Sequence, residues 1–108
     1  MKIYAVDGLQ VELDDDHWKS HIIKGHPELM PHRELAIETL RNLDGVYRSK
    51  RDPSTRIYAR RYRGIRIGET LVEEISLRVI VREDNGSIVT AYFAAAMWRG
   101  LGERIWPS

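Results

Sequence analysis

Residues 71–95 read LVEEISLRVIVREDNGSIVTAYFAA, and this stretch decides the fold. Its first half, residues 71–83, alternates apolar and polar side chains, as a half-buried β-strand does. The residues DNG at 84–86 are typical of a tight turn, and residues 87–95 alternate again. We therefore predict two antiparallel strands that form a β-hairpin.

The alternation sorts the side chains of this hairpin onto two faces of a sheet. One face is apolar and carries Ile75, Leu77, Val79, Val81, Val89, Ala91 and Phe93. The other face carries Arg78, Arg82, Thr90 and Tyr92. Because helices pack on apolar surface, we expect the first face to be buried and the second face to stay open to solvent.

Two further strands are predicted before this hairpin. They are VYRSK at 46–50 and TRIYARRY at 55–62, which are rich in β-branched and aromatic residues. In the second of these strands Ile57 and Ala59 suit the core, and the alternate residues would then extend the open face. These alternate residues are Arg56, Tyr58, Arg60 and Tyr62. The segment GIRIGET, at 64–70, fits either a strand end or a wide loop.

A helix is predicted over residues 14–25. Asp14 is a suitable N-cap, and acidic side chains follow it in the first turn, as the helix dipole favours. His26 precedes Pro27, and the residue before a proline avoids helical geometry, so the helix should end there. A second helix is predicted over residues 32–43.

These elements predict one α+β domain spanning residues 1–108. An N-terminal hairpin (1–13) and a helical part (14–44) pack on one face of a meandering antiparallel sheet of about four strands (45–95). The apolar tail (96–108) places Trp98, Leu101 and Ile105 at helical spacing, although two glycines weaken that pattern. The tail could dock on its own core, on a second copy in a homodimer, or on a partner protein.

The composition limits the classes of protein to consider. The chain has 108 residues, of which 43% are hydrophobic and 31% are charged, as in an ordinary globular domain. It has no cysteine, which excludes disulfides, thiolate zinc sites and a cysteine nucleophile. No apolar run approaches the ~18 residues of a membrane span, and the N-terminus lacks the apolar core of a secretory signal. We therefore expect a cytoplasmic protein that does not enter membranes.

The charge is distributed unevenly although the net charge is only +1. Residues 1–45 hold five Lys/Arg against nine Asp/Glu, whereas residues 46–82 hold ten against four, and nine of those ten bases are arginines. Arginine forks match phosphate oxygens, and tyrosines stack on unpaired bases, so this region suits single-stranded RNA. The alternative interpretation is that the arginines only solvate exposed strands.

Three stretches resemble a known group of small ribonucleases. They are HWKSHIIKGHPE at 17–28, ETLRNLDGVYRSK at 38–50 and ISLRVIVREDNGSIVTAYF at 75–93. Together they resemble the barnase–EndoU–colicin–RelE superfamily (the BECR fold), in particular its phage-associated and BrnT-type toxin members. The resemblance covers most of the chain after residue 14. It implies helices before a meandering sheet whose open face holds RNA, and cleavage of RNA without a metal.

The resemblance also implies candidate site residues. The helix histidines of the phage-associated group match His21 and His26, and the final-strand residues match Thr90 and Tyr92. The basic strand positions match Arg78 and Arg82. The N-terminal hairpin and the apolar tail depart from the family pattern.

Cleavage of RNA through its own 2′-hydroxyl requires a base, an acid and a cation near the phosphate. Histidine can be either base or acid near neutral pH, and arginine can offset the phosphate charge. We therefore assign His26 as the leading acid/base residue, with His21 assisting or orienting it. Tyr92 and Thr90 would hold the phosphate or ribose, Arg78 and Arg82 would offset its charge, and Arg56, Tyr58 and Arg60 would extend RNA binding. Alternatively, both histidines cap or pack structurally.

Other kinds of site have less support. His17 and His21 are four residues apart and could face one metal, but no third ligand is required by spacing, so we expect neither a metal nor a cofactor. The predicted function is a metal-independent endoribonuclease, a toxin that a neutralising antitoxin protein would block. The alternatives are a catalytically inactive module that binds nucleic acid or protein, and a structural phage protein.

Overall fold

The computed structural model describes residues 1–95 and 100–107. Helices and antiparallel strands share this part of the chain, which confirms the α+β prediction. The strands, in chain order, are β1 (Lys2–Tyr4), β2 (Gln10–Glu12), β3 (Gly45–Ser49), β4 (Thr55–Ile67), β5 (Thr70–Arg82), β6 (Ile88–Ala94) and β7 (Leu101–Trp106).

The predicted first helix is present but irregular. It consists of α1 (Asp15–His17), a π-helical turn (Trp18–Ile22) and α2 (Ile23–Gly25), which follow one another directly. Asp14 caps it as predicted, since its carboxylate accepts hydrogen bonds from the backbone N–H groups of Asp16 (2.8 Å) and His17 (3.4 Å). A 3₁₀ helix (Pro27–His32) leads into α3 (Arg33–Arg41), so the second helix begins one residue later than predicted.

The main sheet has five strands in the order β6-β5-β4-β3-β7, and every neighbouring pair is antiparallel. The predicted meander of four strands is therefore present, and β7 adds a fifth at the edge beside β3. β1 and β2 form a separate two-stranded hairpin, as the N-terminal pattern indicates. The segment GIRIGET, which the sequence leaves open, belongs mostly to the long β4–β5 hairpin.

One hydrophobic core lies between the helices, the N-terminal hairpin and one face of the main sheet. The helices contribute Trp18, Ile22, Leu29 and Leu40, and the sheet contributes Leu77, Val79 and Val81, all at most 3% exposed. The β5 residues are those that the alternation assigns to the buried face. The apolar face of the β5–β6 hairpin was therefore predicted correctly, apart from one irregularity in β6. A shift of register near Val81 brings Ile88, rather than Val89, into the core.

The faces of β4 were predicted wrongly. Arg56, Tyr58 and Arg60 lie directly opposite Val81, Val79 and Leu77, and so they share the face that carries the core. Ile57 and Ala59 lie on the second face and are also buried. Both alternating sets of β4 thus contain residues that bury well. The larger apolar area of Tyr58, which is 0% exposed, favours its place in the core.

The second face of the sheet is not fully open. At its centre Ser76 and Arg78 are 6% and 2% exposed. The position of Gly100 accounts for part of this, since a Cβ added there would lie 3.9 Å from Nη1 of Arg78. The prediction of a continuous solvated face is therefore wrong at the centre of the sheet. The prediction holds toward the margins of this face, where Thr90 and Tyr92 are half-buried and Arg82 is exposed.

The described part of the C-terminal tail contains a strand, Leu101–Trp106, rather than the predicted helix. Leu101 is buried, and Ile105 and Trp106 are partly buried against the core, so these three apolar residues dock on their own chain. These three residues therefore do not form the exposed apolar patch that would favour a homodimer through the tail. Trp98 of the predicted helical pattern lies outside the described residues. Within the described ranges, the helices are too short or too polar to span a lipid bilayer.

Candidate active site at the edge of strand β6

The first helical segment runs beside β6, the strand at one edge of the main sheet. Near the start of the segment, Nε2 of His17 lies 2.8 Å from the carbonyl oxygen of Ile88. At its end, the ring centroid of His26 lies 5.9 Å from that of Tyr92. These two contacts align the helical segment with the strand and bring a histidine to the side chain of Tyr92.

His26 occupies the break between two helices, as its place before Pro27 predicts. Its φ of −138° and ψ of 75° are not helical, so the helical path is interrupted at this residue. Nδ1 of His26 lies 3.3 Å from Oε1 of Glu28, and each side chain is about one third exposed, at 37% and 30%. Where a carboxylate accepts a hydrogen bond from one ring nitrogen of a histidine, the other nitrogen is free to contact a substrate.

Glu28 is a site residue that our sequence reasoning missed. It follows His26 by two positions, with Pro27 between them, and the turn of the 3₁₀ helix brings the two side chains together. The available signal was a carboxylate placed just beyond a proline that reverses the chain after a histidine. Because the same sequence pattern is common in turns, it does not predict the contact between Glu28 and His26, which the structure shows.

Thr90 and Tyr92 share one face of β6 and lie two residues apart. On that face Tyr92 is directly opposite Arg78, and Thr90 is opposite Ile80. Two positions along a strand span about 6.8 Å, a distance that one phosphate and its ribose can bridge. We define His26, Glu28, Thr90 and Tyr92 as the β6-edge site.

In the described part of the chain, His21 contacts His17 rather than a residue of the β6-edge site. Its ring stacks on the ring of His17, with centroids 5.0 Å apart and an angle of 17° between the planes. This stacking is not the convergence that a shared metal requires. Among the described residues, there is no group of three or more His, Cys, Asp or Glu side chains arranged to hold a metal ion.

The predicted RNA-binding residues of β4 are instead part of an internal charge network. The carboxylate of Asp7, 4% exposed, accepts hydrogen bonds from the Tyr58 hydroxyl (2.9 and 3.0 Å) and from Nη1 of Arg56 (2.7 Å). Glu83 lies between Arg56, whose Nε is 3.2 Å away, and Arg48, which donates to it. We call these five residues the Asp7 network.

The pKa values within the Asp7 network reflect this burial and pairing. Burial raises the pKa of Tyr58 far above its usual range, and the negative charge of Asp7 raises it further. For Glu83 burial acts upward, but hydrogen bonds from Arg48 and Arg56 outweigh it and hold its pKa below the ordinary value of 4.5. For Arg56 burial acts downward, and the bonds to Asp7 and Glu83 outweigh it, so its pKa is raised. The pairing of Arg56 with Glu83 therefore stabilises the charged form of both residues.

Arg60 is also paired on the helix side of the sheet. Its Nη1 donates to Oε1 of Glu38 (2.7 Å) and to the carbonyl oxygen of Asn42 (3.0 Å). The guanidinium carbon lies 5.0 Å from the centroid of the Tyr62 ring. The prediction that Arg56, Tyr58 and Arg60 form one open RNA-binding surface is therefore wrong. Tyr58 is buried, and the two arginines are largely neutralised by acids of the N-terminal half.

The two arginines of β5 have different surroundings. Arg78 is buried and lies directly opposite Tyr92, so it shares a face of the sheet with Tyr92 but is not part of an exposed surface. Arg82 is exposed, and its Nε lies 3.3 Å from Oδ1 of Asp84. Hydrogen bonding to Asp84 raises the pKa of Arg82. Arg82 is four positions beyond Arg78 in β5, so it lies about 13 Å along the strand from the level of Tyr92.

Comparisons with protein-family models, with curated proteins and with solved structures gave no match to this chain. The function of this chain is therefore inferred from the geometry and chemistry of the site.

Proposed function

We propose that this chain is a metal-independent endoribonuclease that cleaves RNA at the β6-edge site. The observation that supports this proposal is the distance of 5.9 Å between the ring centroids of His26 and Tyr92, together with Glu28, whose Oε1 lies 3.3 Å from Nδ1 of His26. A partly exposed imidazole held by a carboxylate is suited to exchange protons near neutral pH. The neighbouring hydroxyls of Thr90 and Tyr92 suit the oxygens of a phosphate or ribose.

The proposed reaction is transfer of the phosphoryl group to the ribose. Nε2 of His26 removes the proton of the 2′-hydroxyl, and the 2′-oxygen attacks the adjacent phosphorus atom. The bond from phosphorus to the 5′-oxygen breaks, leaving a 2′,3′-cyclic phosphate on one product. The departing 5′-oxygen takes a proton, and the hydroxyl of Tyr92, whose ring centroid lies 5.9 Å from that of His26, is the candidate donor. His21 keeps the assisting role proposed from sequence.

Electrostatic support for the reaction comes from a buried charge. Arg78 is buried directly opposite Tyr92, and we assign its guanidinium to offset part of the charge that develops on the phosphate. Arg82 lies two positions along β5 from Ile80, the residue opposite Thr90, and is therefore farther than Arg78 from the His26–Tyr92 pair. We assign it to a phosphate farther along the bound RNA.

The cellular role we propose follows from the activity. An unregulated ribonuclease damages its own host, so a toxin of this kind acts in the cytoplasm and requires a neutralising antitoxin protein. The proposal therefore includes two partners, RNA and an inhibitory protein. It includes no cofactor.

The test is cleavage of a fluorescent RNA in buffer containing EDTA. Wild type should produce fragments that end in 2′,3′-cyclic phosphate, and His26→Ala should cleave about 10²–10⁴-fold more slowly because it lacks the positioned base. Lys19→Gln is the matched control, since it changes an exposed cationic residue of the same helical segment and should keep the wild-type rate. Salt-sensitive RNA binding without cleavage by wild type would instead support the inactive binding module. Equal rates for His26→Ala and wild type would remove the proposed role of His26.

A further inference from the structure

A cleft lies beside the β6-edge site, between the 3₁₀ helix and the turn that joins β4 to β5. Its volume is about 510 Å³. Pro27, Glu28, Met30 and Pro31 line one side, and Arg66 and Gly68 line the other. This volume falls within the range of about 300–1,000 Å³ that is usual for small-ligand sites.

The walls of the cleft are held in place by contacts across it. Nε2 of His32 lies 2.8 Å from the carbonyl oxygen of Arg66, which ties the 3₁₀ helix to the β4–β5 hairpin. The His32 ring also packs edge-on against Phe93, with centroids 5.4 Å apart and an angle of 89°. Leu29 anchors the same helix in the core at 0% exposure. The cleft is therefore formed before any ligand binds.

The chemistry of the cleft suits a flat heterocycle with hydrogen-bond donors. The two proline rings and Met30, which is 66% exposed, supply apolar surface against which a planar ring can pack. Glu28 supplies a carboxylate, which only accepts hydrogen bonds when ionised. Adenine, cytosine and guanine carry an exocyclic amino group that can donate to it. Uracil offers only its ring N3–H, which is flanked by two carbonyl oxygens that repel a carboxylate.

Glu28 connects the cleft to the proposed reaction centre. One of its oxygens lies 3.3 Å from Nδ1 of His26, and the same side chain lines the cleft. A nucleotide whose phosphate lies between His26 and Tyr92 therefore has its base, or that of its neighbour, within reach of the second oxygen of Glu28. The exposed guanidinium of Arg66, at the far wall, suits the next phosphate of the strand.

We infer that this cleft binds the nucleobase adjacent to the scissile phosphate and favours amino-bearing bases over uracil. The inference rests on the proposed endoribonuclease function and specifies its substrate. Losing a hydrogen bond to a charged acceptor costs roughly 10-fold in affinity or more, so the expected discrimination against uracil is at least about 10-fold in kcat/KM.

The first experiment uses short DNA oligonucleotides that contain one ribonucleotide, with the base next to the cleavable phosphate varied in turn on either side. Wild type should cleave the uracil substrate at least about 10-fold less efficiently at one of the two positions. Met30→Asp should abolish this preference through a rise in KM, because it places a charge in the apolar wall. Leu71→Asp is the matched control: Leu71 is an exposed leucine outside the cleft lining, and the preference should persist. Equal cleavage of all bases by active wild type would overturn the inference and leave the proposed function standing.

A binding measurement separates failure of the inference from failure of the proposed function. The methyl signal of Met30 in wild-type protein, assigned by its loss in Met30→Leu, is followed by NMR during titration with the four nucleoside 3′-monophosphates. Saturable shifts that are tighter for the amino-bearing nucleotides than for the uridine nucleotide would support the cleft even if no RNA were cleaved. No shift, or equal affinity for all four nucleotides, would overturn the inference.

Discussion

The Asp7 network and the β6-edge site contain similar side chains but differ in how those side chains are paired. In the Asp7 network a buried carboxylate meets a tyrosine and an arginine, and a second carboxylate joins two arginines. In the β6-edge site a partly exposed histidine meets one carboxylate and one tyrosine. Opposite charges that satisfy each other stabilise a fold, whereas a partly satisfied histidine at the surface can still exchange a proton with a substrate.

Pairing between distant segments also explains the uneven charge along the chain. The basic middle segment donates to acids of the acidic N-terminal segment, as Arg56 does to Asp7 and Arg60 does to Glu38. Arginines that suggest an RNA-binding surface in the sequence thus hold the N-terminal hairpin and α3 onto the sheet. Arginine content alone does not identify a nucleic-acid surface, because folding can neutralise it internally.

The largest expected effect comes from breaking the Asp7 network. Asp7→Ala removes a carboxylate that is 4% exposed and accepts hydrogen bonds from Tyr58, from Arg56 and from the backbone N–H of Leu9. These donors are then left partly unsatisfied. The loss of a buried partner should lower the free energy of unfolding by about 3 kcal/mol, measured by urea denaturation. The cleavage rate per folded molecule should not change.

Asp84→Ala provides the control for this variant. Its carboxylate pairs with Arg82 and is 66% exposed, so the expected loss of stability is at most about 1 kcal/mol. Equal destabilisation by the two variants would contradict the structural role given to Asp7.

The second prediction concerns the pH dependence of stability. Because the pKa of Glu83 is lowered in the folded state, its contribution to stability is present above its ordinary value of 4.5 and is lost as the pH falls through the lowered value. The melting temperature of wild type should therefore fall below about pH 4.5, and Glu83→Gln should show a smaller fall. Parallel curves for the two proteins would show that Glu83 does not carry this acid sensitivity.

The smallest expected effect is that of Arg82. Its side chain is exposed and lies at a distance from the β6-edge site, so Arg82→Gln should leave kcat unchanged and raise KM modestly. If Arg82 contacts one RNA phosphate, the slope of log affinity against log salt should decrease in magnitude by about 0.7. An unchanged slope would remove Arg82 from the RNA-binding surface, and a large fall in kcat would place it at the reaction centre.

Much of the fold was predictable because its signals are local. The alternation and the DNG turn define β5 and β6, Asp14 defines the start of the first helix, and the residue pair His26–Pro27 defines its end. The faces of β4 were not predictable from alternation, because each face of that strand carries residues that can be buried. The partner that decides between them, Asp7, is 49 residues before Arg56 in sequence.

The candidate site was predictable only in part. Local position and a family resemblance predict His26 and Tyr92 as site residues. The structure brings their rings together. Glu28 was missed, since its role depends on how a turn places its carboxylate. The burial of Arg78 depends on the approach of Gly100, which no local pattern indicates.

The most direct test of the account removes one hydroxyl from each region and compares the results. Tyr92→Phe should lower the cleavage rate about 10- to 100-fold, as expected for one lost hydrogen bond to a charged group, and should leave the melting temperature unchanged. Tyr58→Phe should lower the melting temperature and leave the cleavage rate of the folded protein unchanged. The opposite pattern, or equal effects of both variants on cleavage, would contradict the assignment of catalysis to the β6-edge site and of stability to the Asp7 network.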